Sequence, residues 1–390
     1  MNKNLILIFI ICLFMTGCWN YNELNSLAIT TAMAIDKKDN KYEVSILIAN
    51  SRNKQSSTEE GQSQTVVYSS TGDTISEALK NIDLENPRQT YVGHLSALII
   101  SEEVAKEGLL NLLDLLFRNS ESTKRFYIAI ARDYKAKDII KVVSPLEAFP
   151  SQTISTNIKS SSESQAVSIA VIYSDFIDNI IKKGKEAVLP TITIEGNKKK
   201  GEKNSNLEVS EPKARLKLDT VAVFKDDKLI SFASKDESRG INLALNKIKA
   251  MIIQYKCDKD YLVSEINSVN TNISLEDKKV VISVKADGDI IENTCDIDLT
   301  DEKEIKKVEN DTEDKIKSLI RKGLNYTQKE IKLDVYGIGD LTYKANPKFY
   351  KSIDNWNEYF SNIDIDIKVN TRLISKGSSR QSLKEALDGN

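Results

Sequence analysis

Hydrophobic and polar positions alternate along Tyr42–Ala49, where Val44, Ile46 and Ile48 fall on one side, and this period of two predicts a strand. A polar stretch from Ser51 to Gln64, rich in Ser, Gln and Glu, reads as a long hairpin loop before a second strand, Thr65–Ser69. Leu95–Ile100 is apolar without a break, the pattern of a strand covered on both faces. Phe126–Ala131 and Leu189–Ile194 predict further strands, and Thr220–Phe224 with Leu229–Ala233 a hairpin across Asp226-Asp227. Met251–Lys256, Leu262–Ile273 and Lys278–Ala286 predict a meander, and Ile363, Ile365, Ile367 and Val369 alternate in a last strand, Ile363–Ile374. Asp287-Gly288-Asp289 reads as a turn between strands, because the remaining ligand spacing of a calcium loop is missing.

A period near 3.6 marks the helices. Thr74-x-x-Glu77 is a capping box, followed by Ile75, Ala78, Leu79 and Ile82 on one face. Ser101 caps the next helix, with Leu109, Leu112, Leu113 and Leu116 as its stripe, and Ala136–Val143 is a short one. Ala166, Ile169, Ala170, Tyr173, Phe176, Ile177 and Ile180 predict a long helix stopped at Gly184. Glu237–Lys247 follows, and from Glu302 a charged helix buries Ile305, Val308, Ile316, Leu319 and Ile320. Ile331–Tyr336 fits both periods; helix is the preferred reading. Pro347 opens a helix carrying Phe349, Tyr350, Ile353, Trp356 and Phe360.

The order of these elements predicts an α+β fold of successive mixed α/β domains, with sheets flanked by helices. Gly196–Pro212 is dominated by Lys, Asn, Glu and Ser and has almost nothing to bury. It reads as a linker or a surface loop between an N-terminal α+β domain, 18–195, of one or two subdomains, and a C-terminal α+β domain, 213–377. Residues 378–390 form a polar tail.

The first residues change the picture. Leu5–Phe14 is a short apolar run behind Lys3. It falls well short of the ~20 residues needed to span a bilayer and reads as a signal peptide, residues 1–17. Met15-Thr16-Gly17-Cys18 resembles a bacterial lipobox, and no A-x-A site lies nearby. Cys18 is then the lipidation residue, carrying a diacylglyceryl thioether after cleavage behind Gly17. Acyl chains on that residue would hold the protein to a membrane. Charged residues make up 29% and hydrophobic ones 40%, which argues against disorder. The formal net charge of −2 gives no basic excess for nucleic acid. Cys257 and Cys295 remain after processing; they form either a disulfide or two buried free thiols.

Catalytic sets are absent from the pattern. His94 is the sole histidine, so no multi-His metal site can form, and no G-x-S-x-G elbow accompanies it. It reads as a residue satisfied at the start of the Leu95–Ile100 strand. Gly337-x-Gly339 is too short for a dinucleotide fingerprint and reads as a close-packing point. Lys198-Lys199-Lys200 reads as a solvated face. No cofactor is called for.

Four stretches together resemble the Ger(x)C spore germination lipoproteins, the C subunits of nutrient germinant receptors. The first is Gly17-Cys18-Trp19-Asn20 with Glu23-Leu24 through Ile29, then Ala34-Ile35-Asp36. The second is Pro87-Arg88-Gln89 with Gly93-His94, then Glu102, Ala105 and Gly108; the third is Leu113–Phe117 with Arg118. The fourth is Asp334-Val335-Tyr336-Gly337-Ile338-Gly339, followed by Asn346-Pro347-Lys348 and Asn355-Trp356. Ala34 stands where Gly is usual, and Met15 where Leu is usual. The resemblance implies a non-enzymatic, lipid-anchored subunit on the outer face of the inner spore membrane, associated with A-type and B-type membrane subunits. Asn20, Glu23 and Arg88 are the candidate partner contacts. Arg88 could instead only pair with a carboxylate, and Trp356 reads as a core residue. The alternative is a lipid-anchored extracytoplasmic solute-binding protein, which would need two similar lobes and a lined cleft.

Overall fold

The computed structural model describes residue 23 and residues 26–50, 64–276, 279–295 and 297–374. In chain order the elements are β1 (Leu27–Lys38), β2 (Lys41–Ala49), β3 (Thr65–Gly72), α1 (Ile75–Glu85), β4 (Gln89–Tyr91), β5 (Ala97–Ser101), α2 (Glu102–Glu107), α3 (Leu110–Arg118), β6 (Tyr127–Ala131), α4 (Ala136–Ile139), α5 (Pro150–Ser164), α6 (Tyr173–Ile181), β7 (Val188–Gly196), α7 (Lys198–Gly201), β8 (Ala214–Lys225), β9 (Lys228–Phe232), α8 (Lys235–Ala244), β10 (Met251–Cys257), β11 (Asp260–Glu276), β12 (Lys279–Asn293), α9 (Glu302–Asn325), α10 (Ile338–Ala345), α11 (Pro347–Lys351), α12 (Trp356–Phe360) and β13 (Ile365–Ile374). The fold is α+β, as the pattern predicts.

Nine strands form one sheet in the order β3-β2-β1-β5-β6-β7-β8-β9, with the short β4 beside the start of β1. The centre is parallel, β1 to β5 to β6 to β7, and both margins are antiparallel. Alternating side chains of the central strands serve two cores. Met33, Ile35, Leu98, Ile100, Ile128 and Ile130 face α1, α2, α3 and α6. Ala32, Ala34, Ala97, Ala129 and Ala131 face α4 and α5, so small residues let those helices approach the sheet closely. The capping of α1 is as predicted at Thr74, whose hydroxyl accepts from Glu77 N (3.1 Å); the Glu77 carboxylate reaches one residue further, to Asp73 N (2.8 Å).

The second sheet has the order β10-β11-β12-β13, antiparallel except for β12 with β13. Its strands alternate, as in the buried-exposed pattern of β13, and α9 packs Val308, Ile316, Ile320 and Leu324 into the same core. That core is continuous with the Ile-rich face of the nine-stranded sheet through Ile241 and Leu243 of α8. Cys257 and Cys295 are disulfide-bonded, with Cα atoms 6.1 Å apart.

Several expectations change. The domain start at 213 does not match the topology: β8 pairs with β7 and β9 with β8, inside the first sheet. Residues 196–212 therefore connect neighbouring antiparallel strands, which makes them a surface loop and not a linker. Asn206 pins this loop from inside, donating to Val143 O (3.0 Å) and Ala214 O (3.1 Å) and accepting from Lys213 N (2.7 Å). Within it, Lys198 pairs with Asp138 at 2.8 Å.

The long helix predicted from Ala166 begins only at Tyr173, while the Ser-rich stretch 150–164 is helical. Asp287-Gly288-Asp289 lies inside β12, paired on both sides, because two flanking ladders override a local turn signal. Residues 331–335 are neither helix nor strand. The helix opened by Pro347 breaks after Lys351 and restarts where the Asn355 side chain accepts from Glu358 N (3.2 Å).

Candidate functional site

The four motif segments separate into residues that hold the fold and residues that meet solvent. Asp36 ends the apolar part of β1 and is buried. Its carboxylate accepts from Ala136 N (2.8 Å) and Lys137 N (2.9 Å) at the start of α4, and burial raises its pKa. Beside it Lys137 pairs with Glu43 (3.2 Å) and Lys37 with Glu107 (2.8 Å). This acidic residue fastens a helix to the sheet.

Asp334 plays the same part in the last motif. It is fully buried; Oδ1 accepts from the N–H groups of Tyr336 (3.1 Å), Gly337 (2.9 Å) and Ile338 (3.2 Å), and Oδ2 from Gly339 N (2.7 Å) and Trp356 Nε1 (2.9 Å). Burial pushes its pKa up to about 6, against the pull of those five donors. The knot explains why 331–335 is irregular: the backbone curls around a carboxylate. Gly337 sits at φ +78°, and a Cβ on Gly339 would lie 2.6 Å from Gly184 Cα and from Trp356 Nε1. Glu186 N donates to Asp334 O (2.8 Å), and the Glu186 carboxylate accepts from Asn357 Nδ2 (3.0 Å) and Asp226 N (2.9 Å). The knot thus joins the two sheets. Trp356 is half-buried in it, as a structural reading of that residue expects.

The solvent-facing residues gather at the start of β1. Glu23 is exposed, and its carbonyl accepts from Ser26 N (2.9 Å) one turn before the strand. β4 pairs in parallel with β1 at Leu27↔Gln89, so Arg88 is placed at the same end of the sheet as Glu23. Arg88 is half-buried, and its N–H donates to Asn86 Oδ1 (3.3 Å). His94, after β4, is exposed and lies edge-on to Tyr91 with ring centroids 6.0 Å apart. Asn20 and Cys18 lie outside the described residues.

A cleft of about 360 Å³ continues from Gln89 to Arg118 and Asn119, bringing the second and third motifs onto one surface. Its floor is set by Asp83, which accepts from Thr90 N (3.2 Å) and Thr90 Oγ1 (2.7 Å). Arg118 is held by Asp114 at 2.7 Å. Lys124 donates to Asn119 O (2.6 Å) and to Leu116 O, and burial lowers its pKa. Leu84 and Phe117, next in sequence to cleft residues, are 84% and 62% exposed. The cleft lining itself is mostly polar, with Lys80, Asp83, Thr90, Arg118, Asn119, Ser120 and Glu121 around Leu79 and Val92. Asp83 was not marked in the sequence; a lone Asp in a helix carries no signal there.

Among the described residues no three His, Cys, Asp or Glu side chains gather to hold a metal, and no helix is long and apolar enough to cross a membrane.

Comparison with known proteins places this arrangement. Residues 20–194 match the family model for the spore germination protein N-terminal domain, and residues 219–377 the model described as spore germination B3/GerAC like, C-terminal. Spore germination protein KC of Bacillus subtilis is 27% identical, over 97% of this chain and 97% of that protein. Spore germination protein B3 of the same organism is 23% identical over 95% of this chain and 96% of the relative. The crystal structure of the GerBC protein superposes with a TM-score of 0.51 at 18% identity, covering 88% of this chain and 97% of that one, and so shares its fold.

Proposed function

This chain belongs to the GerAC family of spore germination proteins, and on that premise we propose that it is the lipid-anchored, non-enzymatic subunit of a spore nutrient germinant receptor. It acts on the outer face of the inner spore membrane, with A-type and B-type membrane subunits as partners. The observation that carries the reading is end-to-end similarity to spore germination proteins, with both family models in order. Cys18 behind a short apolar run supplies the anchor. The partner surface is the end of the first sheet where Glu23 and Arg88 sit, together with Asn20, because Asn20 and Glu23 follow Cys18 closely in sequence. The solute-binding alternative gains no support from a nine-stranded and a four-stranded sheet, which do not form two similar lobes.

The test is deletion of the gene in a strain with no second receptor for the same nutrient. Spores should lose nutrient germination; a normal response would overturn the receptor reading. Wild type should restore the response. Glu23→Lys at equal protein level should restore little of it, and full rescue would remove Glu23 from the contact surface. Cys18→Ala should stop incorporation of labelled fatty acid.

A further inference from the structure

Five aromatic rings run from one to the next across α10, α11 and α12. Tyr343 meets Tyr350 edge-on with centroids 5.5 Å apart, and Tyr350 lies 5.2 Å from Trp356. Trp356 lies 5.5 Å from Tyr359, and Tyr359 meets Phe349 edge-on at 6.0 Å. The row starts half-buried and ends in solvent, where Phe349 and Tyr359 are each 42% exposed. Rings packed together at the surface, unlike single exposed side chains, mark a contact surface.

Cations surround the row. The Lys183 ammonium lies 5.5 Å from the centre of the Tyr343 ring. Lys344 pairs with Asp340 (2.7 Å) and Lys332 with Glu358 (3.5 Å). Lys182, Lys183, Lys348 and Lys351 make no ion pair among the described residues. The stretch 338–360 holds one further carboxylate, Asp354, so positive charge is left over.

The row is fixed to a definite end of the molecule. β1, β5, β6 and β7 are parallel, so their first residues share one end of the first sheet. Gly184, just before β7, touches the same helices: a Cβ there would lie 2.6 Å from Gly339 Cα and 2.9 Å from Tyr350 Oη. The rings therefore sit at the end where β1 begins. Residues 19–26 separate Cys18 from Leu27, a reach of at most about 30 Å.

We propose that this aromatic and basic surface docks on an anionic phospholipid bilayer, with Phe349 and Tyr359 entering the headgroup layer and the four lysines meeting the negative headgroups. Tyrosine and tryptophan suit a boundary that is apolar on one side and wet on the other, and lysines beside an anionic surface add an attraction that salt removes. The inference rests on the anchored reading above, because the tether is what keeps this end of the sheet near the membrane.

The experiment reconstitutes the purified full chain with phosphatidylcholine vesicles, with and without phosphatidylglycerol. The chain that floats with the vesicles is treated with an acetylating reagent, and mass spectrometry gives the rate at each lysine. Lys183, Lys348 and Lys351 should react about fivefold more slowly on the anionic vesicles, and the difference should vanish at about 0.5 M salt. Lys368 of β13, in the second sheet, should react equally on both. Phe349→Ser combined with Tyr359→Ser, two exposed positions that do not threaten folding, should remove most of the protection. Equal rates on both vesicles, or protection unchanged by the ring substitutions, would overturn the docking surface and leave the anchor standing. Flotation with the anionic vesicles alone, with the same lysines protected, would support the surface and count against the anchor. Flotation with neither would overturn both.

Discussion

The nine-stranded sheet is covered on both faces around its centre, whereas the four-stranded sheet is covered on one. Every residue of β5 is buried, while β13 alternates at both ends, with Ile365, Ile367, Thr371 and Leu373 buried and Asp366, Lys368, Arg372 and Ile374 exposed. The two-faced sheet needs two sets of helices and obtains them from crossovers on either side. The one-faced sheet has α9 on its inner side and water on the other. A sheet with half the cover has less apolar burial to hold it, and this one carries a disulfide at one end and a shared core at the other.

The sharpest way to break the comparison is to cut the chain. A fragment starting at Lys213 contains β8 and β9 without β7 and exposes the face they complete. It should fail to melt cooperatively and should aggregate; a folded monomer by calorimetry and sedimentation would mean that the four-stranded unit is self-sufficient. Next comes the disulfide. It closes a loop spanning 38 residues, and replacing Cys257 and Cys295 by Ser should cost up to about 4 kcal/mol in urea unfolding. A loss near zero would show that the one-faced core needs no staple.

Asp334→Asn sets an NH₂ against N–H donors in the knot and should cost about 2–3 kcal/mol. Its pH dependence has a definite sign. The folded pKa of about 6 lies above the ordinary 3.8, so folding takes up a proton between those values. The advantage of wild type over Asp334→Asn should therefore be fully present below 3.8 and shrink as pH rises to about 6. An advantage that grows over the same window would show that the five donors outweigh burial. The smallest effect belongs to the open face: Lys368–Glu276, at 3.0 Å and about half exposed on both sides, should leave the urea-unfolding midpoint unchanged when Lys368 becomes Gln, and a clear drop would show that the open face is held by its charges.

The same contrast governs what could be read from the chain. Strands of the covered sheet stand out as apolar runs, and α9 as a periodic stripe, because burial dictates both. α5 was hidden because its run of serines carries no apolar period. Ile331–Tyr336 misled because its apolar positions, read as a helix face, serve a loop wound around Asp334, a carboxylate whose partners lie up to 22 residues away. Gly196–Pro212 looked like a linker because loops and linkers share composition; only the β7–β8 ladder tells them apart. At the candidate site Glu23 and Arg88 were singled out separately. Their placement at the same end of the sheet depends on a three-residue parallel pairing of β4 with β1, which no local pattern announces.

β1 has one more consequence. It is the first strand among the described residues, yet it lies in the interior of its sheet, laddered to β2 on one edge and to β4 and β5 on the other. A pull applied through the residues before it runs along the strand, so the flanking ladders are loaded in shear and their hydrogen bonds share the force instead of unzipping in turn. A tether at Cys18 would make β1 the mechanical root of the molecule, so that a pull on that tether would be delivered to the interior of the nine-stranded sheet and not to a fraying edge.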